Sequence, residues 1–195
     1  MNEEEINFTL CTQHDVDLMK KWWNKPYVME FWDNSPEMWE NYVNFTRGKK
    51  DIFDYWLGSY QQQPFCLVMT SLIEPVIDPD AAYPIDHMIP WLVPKGQNLG
   101  FDFMIGEEAY LGKGLSYRAL RRFIRTLGAS ADAFFIDPAT NNSKALHIYK
   151  KAGFEVVSTF ISKSGSNKGL PHYLMRASNL QCIQKPHDFI IMENR

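Results

Sequence analysis

Cysteine is scarce in this chain. There are three, Cys11, Cys66 and Cys182, widely spaced and odd in number, which suits reduced core thiols and argues against a disulfide framework or a zinc site. No apolar run approaches the roughly 20 residues that a membrane span requires. The first residues, MNEEEINF, are acidic where a secretory leader would be basic and then apolar. Positive charge is not in excess either. A net charge of -3 gives no general argument for nucleic acid, which favours a basic face, and leaves cationic or neutral small molecules as the natural partners. Repeats and low-complexity segments are also missing. These absences point to a cytoplasmic protein without membrane, nucleic-acid or metal chemistry.

What is present is a chain of 195 residues, long enough for one domain with a sizeable core. Aromatics make up 14% of it, so a deep aromatic cleft is feasible. Residues 6–11 read as a first strand, and Thr12 with Asp15 matches a capping box that opens a helix through Asn24, with Leu18, Met19 and Trp22 on its core face. Pro26 stops that helix. Glu30, Trp32 and Asp33 follow in a loop, before Ser35 and Pro36 supply the N-cap and first position of a second helix ended by Gly48. A hairpin comes next: Phe53 to Tyr60, a glutamine-rich turn containing Pro64, then Phe65 to Leu72. Between Glu74 and Asn98 five prolines break any regular pattern, in a loop that carries Glu74, Asp78, Asp80, Asp86 and His87.

The stretch LGFDFMIGEEAYLGKGLSYR, residues 99–118, organises the remainder. An apolar strand holding one carboxylate, Asp102, runs into Gly112-Lys113-Gly114 and the start of a helix. First-turn N–H groups lack intrahelical partners, and glycines let an anion approach them. The helix shows an apolar stripe of Ala119, Leu120, Phe123, Ile124 and Leu127, with Arg118, Arg121, Arg122 and Arg125 expected on a solvated face. A strand from Ala133 to Asp137 ends at Pro138. Asn142 or Asn141 then caps a helix closed by Gly153, and strands at Phe154 to Ile161 and His172 to Met175 complete the pattern. Mixed hairpins and strand–helix alternation predict an α/β or α+β sheet with helices on both faces.

The glycine turn together with DPATNNSKALHIYKKAGFEVV resembles the GCN5-related N-acetyltransferases. Asn142, Ala145, Tyr149, Gly153 and Phe154 reproduce that family's N-x-x-A-x-x-x-Y-x-x-x-G-F pattern, and Ile105, Gly106, Gly112 and Gly114 its I-G-x-x-x-x-x-G-x-G spacing. Within the superfamily the chain is most similar to aminoglycoside 6′-N-acetyltransferases and the related siderophore acyltransferases. The resemblance implies a mixed, mostly antiparallel sheet of six to seven strands over residues 1–177, with residues 178–195 as an extension of unknown role. It also implies acetyl-coenzyme A as co-substrate: the backbone of Phe103, Met104 and Ile105 would face its pantetheine arm, Leu111, Gly112, Lys113, Gly114 and Leu115 would cradle its pyrophosphate, and Asn142 would bond either the cofactor or the helix start. Ala109 stands where the family has Gln or Arg, which shifts phosphate binding toward backbone donors.

By the same resemblance Tyr149 is the candidate acid for the departing thiolate. Asp102, on the strand beside the thioester, would bind and deprotonate the substrate ammonium. An ordinary Asp titrates near 3.9, low for a base at neutral pH. At this position the siderophore enzymes carry His and the aminoglycoside enzymes Asp, so the expected acceptor is a polycationic amine, with Glu30, Asp33, Glu74 and Asp78 as acidic lining and Trp32 against a sugar ring. A hydroxylysine-type siderophore precursor and a non-catalytic acyl-coenzyme A-binding module are the alternatives. The assembly is read as monomer or homodimer.

Overall fold

A computed structural model describes residues 2–49, 52–74, 85–163, 165 and 167–178. Seven strands form one sheet: β1 (Ile6–Leu10), β2 (Phe53–Tyr60), β3 (Gln63–Ile73), β4 (Asn98–Ile105), β5 (Ala133–Ile136), β6 (Glu155–Ile161) and β7 (Pro171–Ser178), in the order β1-β2-β3-β4-β5-β7-β6. Neighbours are antiparallel except β4 and β5, which run parallel. Among the described residues five α-helices cover it: α1 (Val16–Trp23), α2 (Pro26–Met29), α3 (Pro36–Thr46), α4 (Ser116–Thr126) and α5 (Ser143–Ala152). The mixed, mostly antiparallel sheet expected from the sequence is the one observed.

Alternation along the central strands sorts side chains into two layers. Tyr55, Leu57, Leu67, Met69 and Met104 pack under the α1–α3 segment with Met19, Trp22, Trp23 and Tyr42. Trp56, Val68, Phe101 and Phe103 take the opposite face, against Leu120, Phe123 and Ile124 of α4 and Tyr149 and Ala152 of α5. Helices therefore cover both faces, and Asp102, two residues from Met104 and opposite Met69, belongs to the α1–α3 side.

The local stop and start signals act as their chemistry dictates. Thr12 and Asp15 form the capping box, Ser35 Oγ accepts from Met38 N–H at 3.2 Å, and Asn142 Oδ1 accepts from Ala145 N–H at 3.0 Å. Gly153 closes α5 at φ 106. Pro26 does more than stop α1, since it also occupies the first position of α2.

Three readings are corrected. Pro64 lies within β3 opposite Ser59, beside a register shift, while the turn itself is Gln61 and Gln62, both at positive φ. Two such residues make the hairpin turn whose twist matches its strands. Arg121 is buried on α4 at 5% exposure, and Leu127 is 43% exposed, so the arginine face is narrower than the charge pattern suggests and the buried apolar stripe ends at Ile124. Arg122 and Arg125 do remain at the surface side, paired with Glu4 and with Glu3 and Glu4 respectively.

Candidate active site

Sheet topology creates the site. β4 stays paired with β3 through Cys66↔Ile105, but its parallel pairing with β5 ends at Gly100↔Phe135. Beyond that rung the two strands separate, so residues 101–105 present a backbone edge without a strand partner on the β5 side. Unpaired edges are where an extended, amide-bearing ligand can complete the ladder. The resulting cleft has a volume of about 970 Å³, at the upper end of small-molecule sites.

The glycine turn borders this cleft. Gly112 and Gly114 both stand at φ 70, a conformation that an L side chain adopts only with strain. A Cβ at Gly112 would meet nothing within 4 Å, and one at Gly114 only the Tyr117 ring at 3.6 Å. The space outside the turn is therefore open. Helix α4 begins immediately after it, with Ala119 N–H to Leu115 carbonyl as an early helical bond, and the preceding amides have no carbonyl one turn back. An open turn leading into bare amides fits a pyrophosphate. Leu111, Gly112 and Gly114 line the cleft, as do Phe103, Met104, Ile105 and Asn142. Leu115 is fully buried in the core and does not line the cleft. Lys113 is exposed, 6.0 Å from the Tyr110 ring, and does not line the cleft. Asn142 uses its side-chain carbonyl for the cap of α5.

The end of β4, upstream of the turn, is anchored to the α1–α2 side. Gly106 donates to the Phe65 carbonyl at 2.8 Å, and its own carbonyl receives Lys25 Nζ at 2.7 Å and Tyr27 Oη–H at 2.8 Å. A Cβ at Gly106 would overlap the buried Trp22 indole, whose N–H donates to Glu107 at 2.6 Å. The α1–α2 connection is thus clamped to the end of β4.

Across the cleft stand three carboxylates, Asp33, Asp102 and Asp137. Burial, and then the charge of Asp33, push Asp102 up to about 6. Burial, and then the charge of Asp102, push Asp137 well above the usual carboxylate range. The Tyr149 phenol is raised further by burial and by both Asp102 and Asp137, which keeps it protonated and able to donate. Asp102 therefore titrates close to neutrality rather than at its ordinary value, which suits a base. Asp33 itself accepts Ser35 N–H at 3.0 Å. Glu30, Trp32 and Glu74 line the same cleft, and Trp32 packs edge-to-face on Trp23 with ring centroids 5.7 Å apart, so it is both core and wall.

Of the expected site residues that the structure describes, all line the cleft except Lys113, whose side chain points elsewhere, and Leu115, which is core. Asp78 and its neighbour Asp80 lie outside the described residues, as do residues 179–195. Asp86 pairs with Lys163 at 2.7 Å, and the burial of Cys66 pushes its thiol well up, away from nucleophile chemistry. Sequence reasoning missed Asp137. Its one signal was a carboxylate at a strand end before proline, in the strand that follows the glycine-turn helix.

A family model described as an acetyltransferase (GNAT) domain matches residues 12–161. Aminoglycoside N(6′)-acetyltransferase type 1 of Klebsiella pneumoniae is 21% identical over 168 residues, covering 84% of this chain and 81% of that protein. Among solved structures, an aminoglycoside N(6′)-acetyltransferase from Legionella pneumophila subsp. pneumophila aligns with a TM-score of 0.77 at 25% identity over 91% of this chain and 94% of its own. A structure of AAC(6′)-Ib with coenzyme A and kanamycin aligns at 0.71, with 20% identity over 90% and 96%. Among the described residues no helix is long and apolar enough to cross a membrane, and no group of three or more His, Cys, Asp or Glu could hold a metal ion.

Proposed function

The chain belongs to the acetyltransferase (GNAT) family, and from that premise we propose that it transfers the acetyl group of acetyl-coenzyme A to a primary amine of a polycationic small molecule, the 6′-amine of an aminoglycoside. One observation carries the choice of acceptor: the charge of Asp33 helps raise Asp102, and that of Asp102 helps raise Asp137, in a cleft that also holds Glu30 and Glu74. Like charges crowded in one cleft are relieved by a ligand that brings several cations. The likeness to aminoglycoside enzymes supports the same reading.

Acetyl-coenzyme A supplies an activated acyl thioester, and the chain's residues do the rest. The glycine turn and the first amides of α4 hold the pyrophosphate, and the open edge of residues 103–105 orients the extended arm. Asp102 receives the acceptor ammonium, aligns it and takes its proton, leaving a lone pair for attack on the carbonyl carbon. Asp33 and Asp137 hold the remaining positive charge, and Trp32 covers an apolar sugar face. Tyr149 gives its phenolic proton to the thiolate as the carbon–sulfur bond breaks. The acylated nitrogen gives up its second proton to restore the Tyr149 phenol and Asp102 releases its own to solvent, so the amide, the free thiol and one released proton close the balance.

The test is an acceptor screen with acetyl-coenzyme A, following thiol release with kanamycin, spermidine and N6-hydroxylysine. Turnover with kanamycin is expected. Preference for hydroxylysine, or binding of coenzyme A with no thiol release from any amine, would overturn the assignment.

A further inference from the structure

β5 forms its last rung at Ile136↔Met175, and Asp137 is the next residue. Pro138 follows it and has no N–H, so the ladder cannot continue in register. A carboxylate at a frayed strand end would ordinarily sample several directions. Here the backbone is caught again by the start of β7: Tyr173 N–H donates to the Pro138 carbonyl at 3.0 Å and Thr140 N–H to the Pro171 carbonyl at 3.0 Å, with a bridge between Ala139 and His172. The carbonyl of Asp137 has a different partner. It receives the ring nitrogen Nδ1 of His172 at 2.6 Å.

Because a carbonyl only accepts, His172 carries a proton on Nδ1. The same nitrogen is 3.8 Å from the Asp137 carboxylate, beyond hydrogen-bond reach. The imidazole therefore grips the peptide of Asp137 and leaves its carboxylate to the cleft, where it feels the charge of Asp102 and acts on Tyr149. His172 is held in turn: it is 6% exposed and lies 5.7 Å from the Phe160 ring, which stacks on His87 at 3.7 Å. Its other nitrogen, Nε2, is buried with no hydrogen-bond partner among the described residues. An apolar residue on β7 would avoid that burial penalty, so the bond made by Nδ1 is what the site gains from an imidazole.

We propose that His172 is a positioning residue for acetyl transfer, which straps the Asp137 peptide so that the carboxylate faces the substrate amine beside Asp102. This rests on the role given to Asp137 above. Asn at 172 places its amide N–H where Nδ1 stands, whereas Gln reaches toward the Nε2 position and Phe keeps only the bulk.

The experiment is steady-state kinetics with acetyl-coenzyme A and kanamycin for H172N, H172Q, H172F, D137N and D137N/H172Q, with nitrogen-15 spectra of the wild-type imidazole. H172N is expected within about threefold of wild type, and H172Q and H172F are expected to lose about tenfold to a hundredfold in kcat, the scale of a misplaced catalytic group. The KM for acetyl-coenzyme A should be unchanged, and H172Q should add little to D137N. The spectra should show the proton on Nδ1. A proton on Nε2 alone overturns the strap whatever the kinetics. Slow D137N with H172Q at the wild-type rate also overturns it, while D137N at the wild-type rate overturns the role of Asp137 itself. Equal losses in H172N and H172Q, tracking a common fall in thermal stability, would reduce His172 to a packing residue.

Discussion

Asp102 offers the sharpest test because two readouts must move together. With its carboxyl raised to about 6, it is about nine-tenths ionised at pH 7 and about one-tenth at pH 5. The kcat/KM for kanamycin reports the free enzyme, so it should fall roughly tenfold across that interval with a slope of one proton. An Asp at its ordinary value would stay ionised and give almost no fall. In D102N the acidic limb should vanish and the plateau should drop by about 10²- to 10⁴-fold, the usual contribution of a positioned base. In D33N, which removes the neighbouring charge, the limb should move to lower pH.

Stability must shift in the opposite sense. A carboxyl that binds protons more tightly folded than unfolded stabilises the fold fully below its unfolded value, near 4, and loses that contribution as pH rises through about 6. A two-unit shift corresponds to about 3 kcal/mol at most, less where the cleft admits water. D102N should therefore be more stable than wild type at pH 7.5, by about 1–3 kcal/mol in urea unfolding, and should lose most of that advantage at pH 4.5. An acidic limb that persists unchanged in D102N, or a variant destabilised at pH 7.5, refutes the reasoning.

Tyr149→Phe should lower kcat about tenfold or more with the KM for acetyl-coenzyme A retained, because the phenol is asked to donate only as the thiolate leaves; undiminished turnover in the thiol-release assay removes it as the acid. Gly106→Ala drives a methyl into the fully buried Trp22 ring and should cost about 1–3 kcal/mol, seen as a lower urea midpoint. Gly114→Ala has room but must hold φ 70; it should cost about 1–2 kcal/mol and raise the KM for acetyl-coenzyme A while leaving the KM for kanamycin near wild type.

What the sequence disclosed follows from the range of the physics. Caps, helix stops and glycine turns are settled within four or five residues. Ser35, Asn142, Gly153 and the Gly112–Gly114 turn were therefore readable, and the proposed donor side of the site is built on that turn. The acceptor side depends on longer range. Asp102 was legible as an anomaly, a carboxylate in an apolar strand, yet its neutral-range titration was not, because that comes from Asp33, 69 positions earlier in the chain, brought near by the α1–α3 segment. Asp137 was read as the end of a strand, and proline after it made that reading sufficient. Only the parallel pairing of β4 with β5, broken after three rungs, sets it beside Asp102. Arg121 failed for a related reason: it flanks the apolar stripe of α4, where helical periodicity leaves burial undecided and the neighbouring elements decide it. The same separation explains why His172 carried no signal. Its partner is a carbonyl 35 residues away, and nothing in a pattern of side chains marks which backbone carbonyl a fold leaves without a strand.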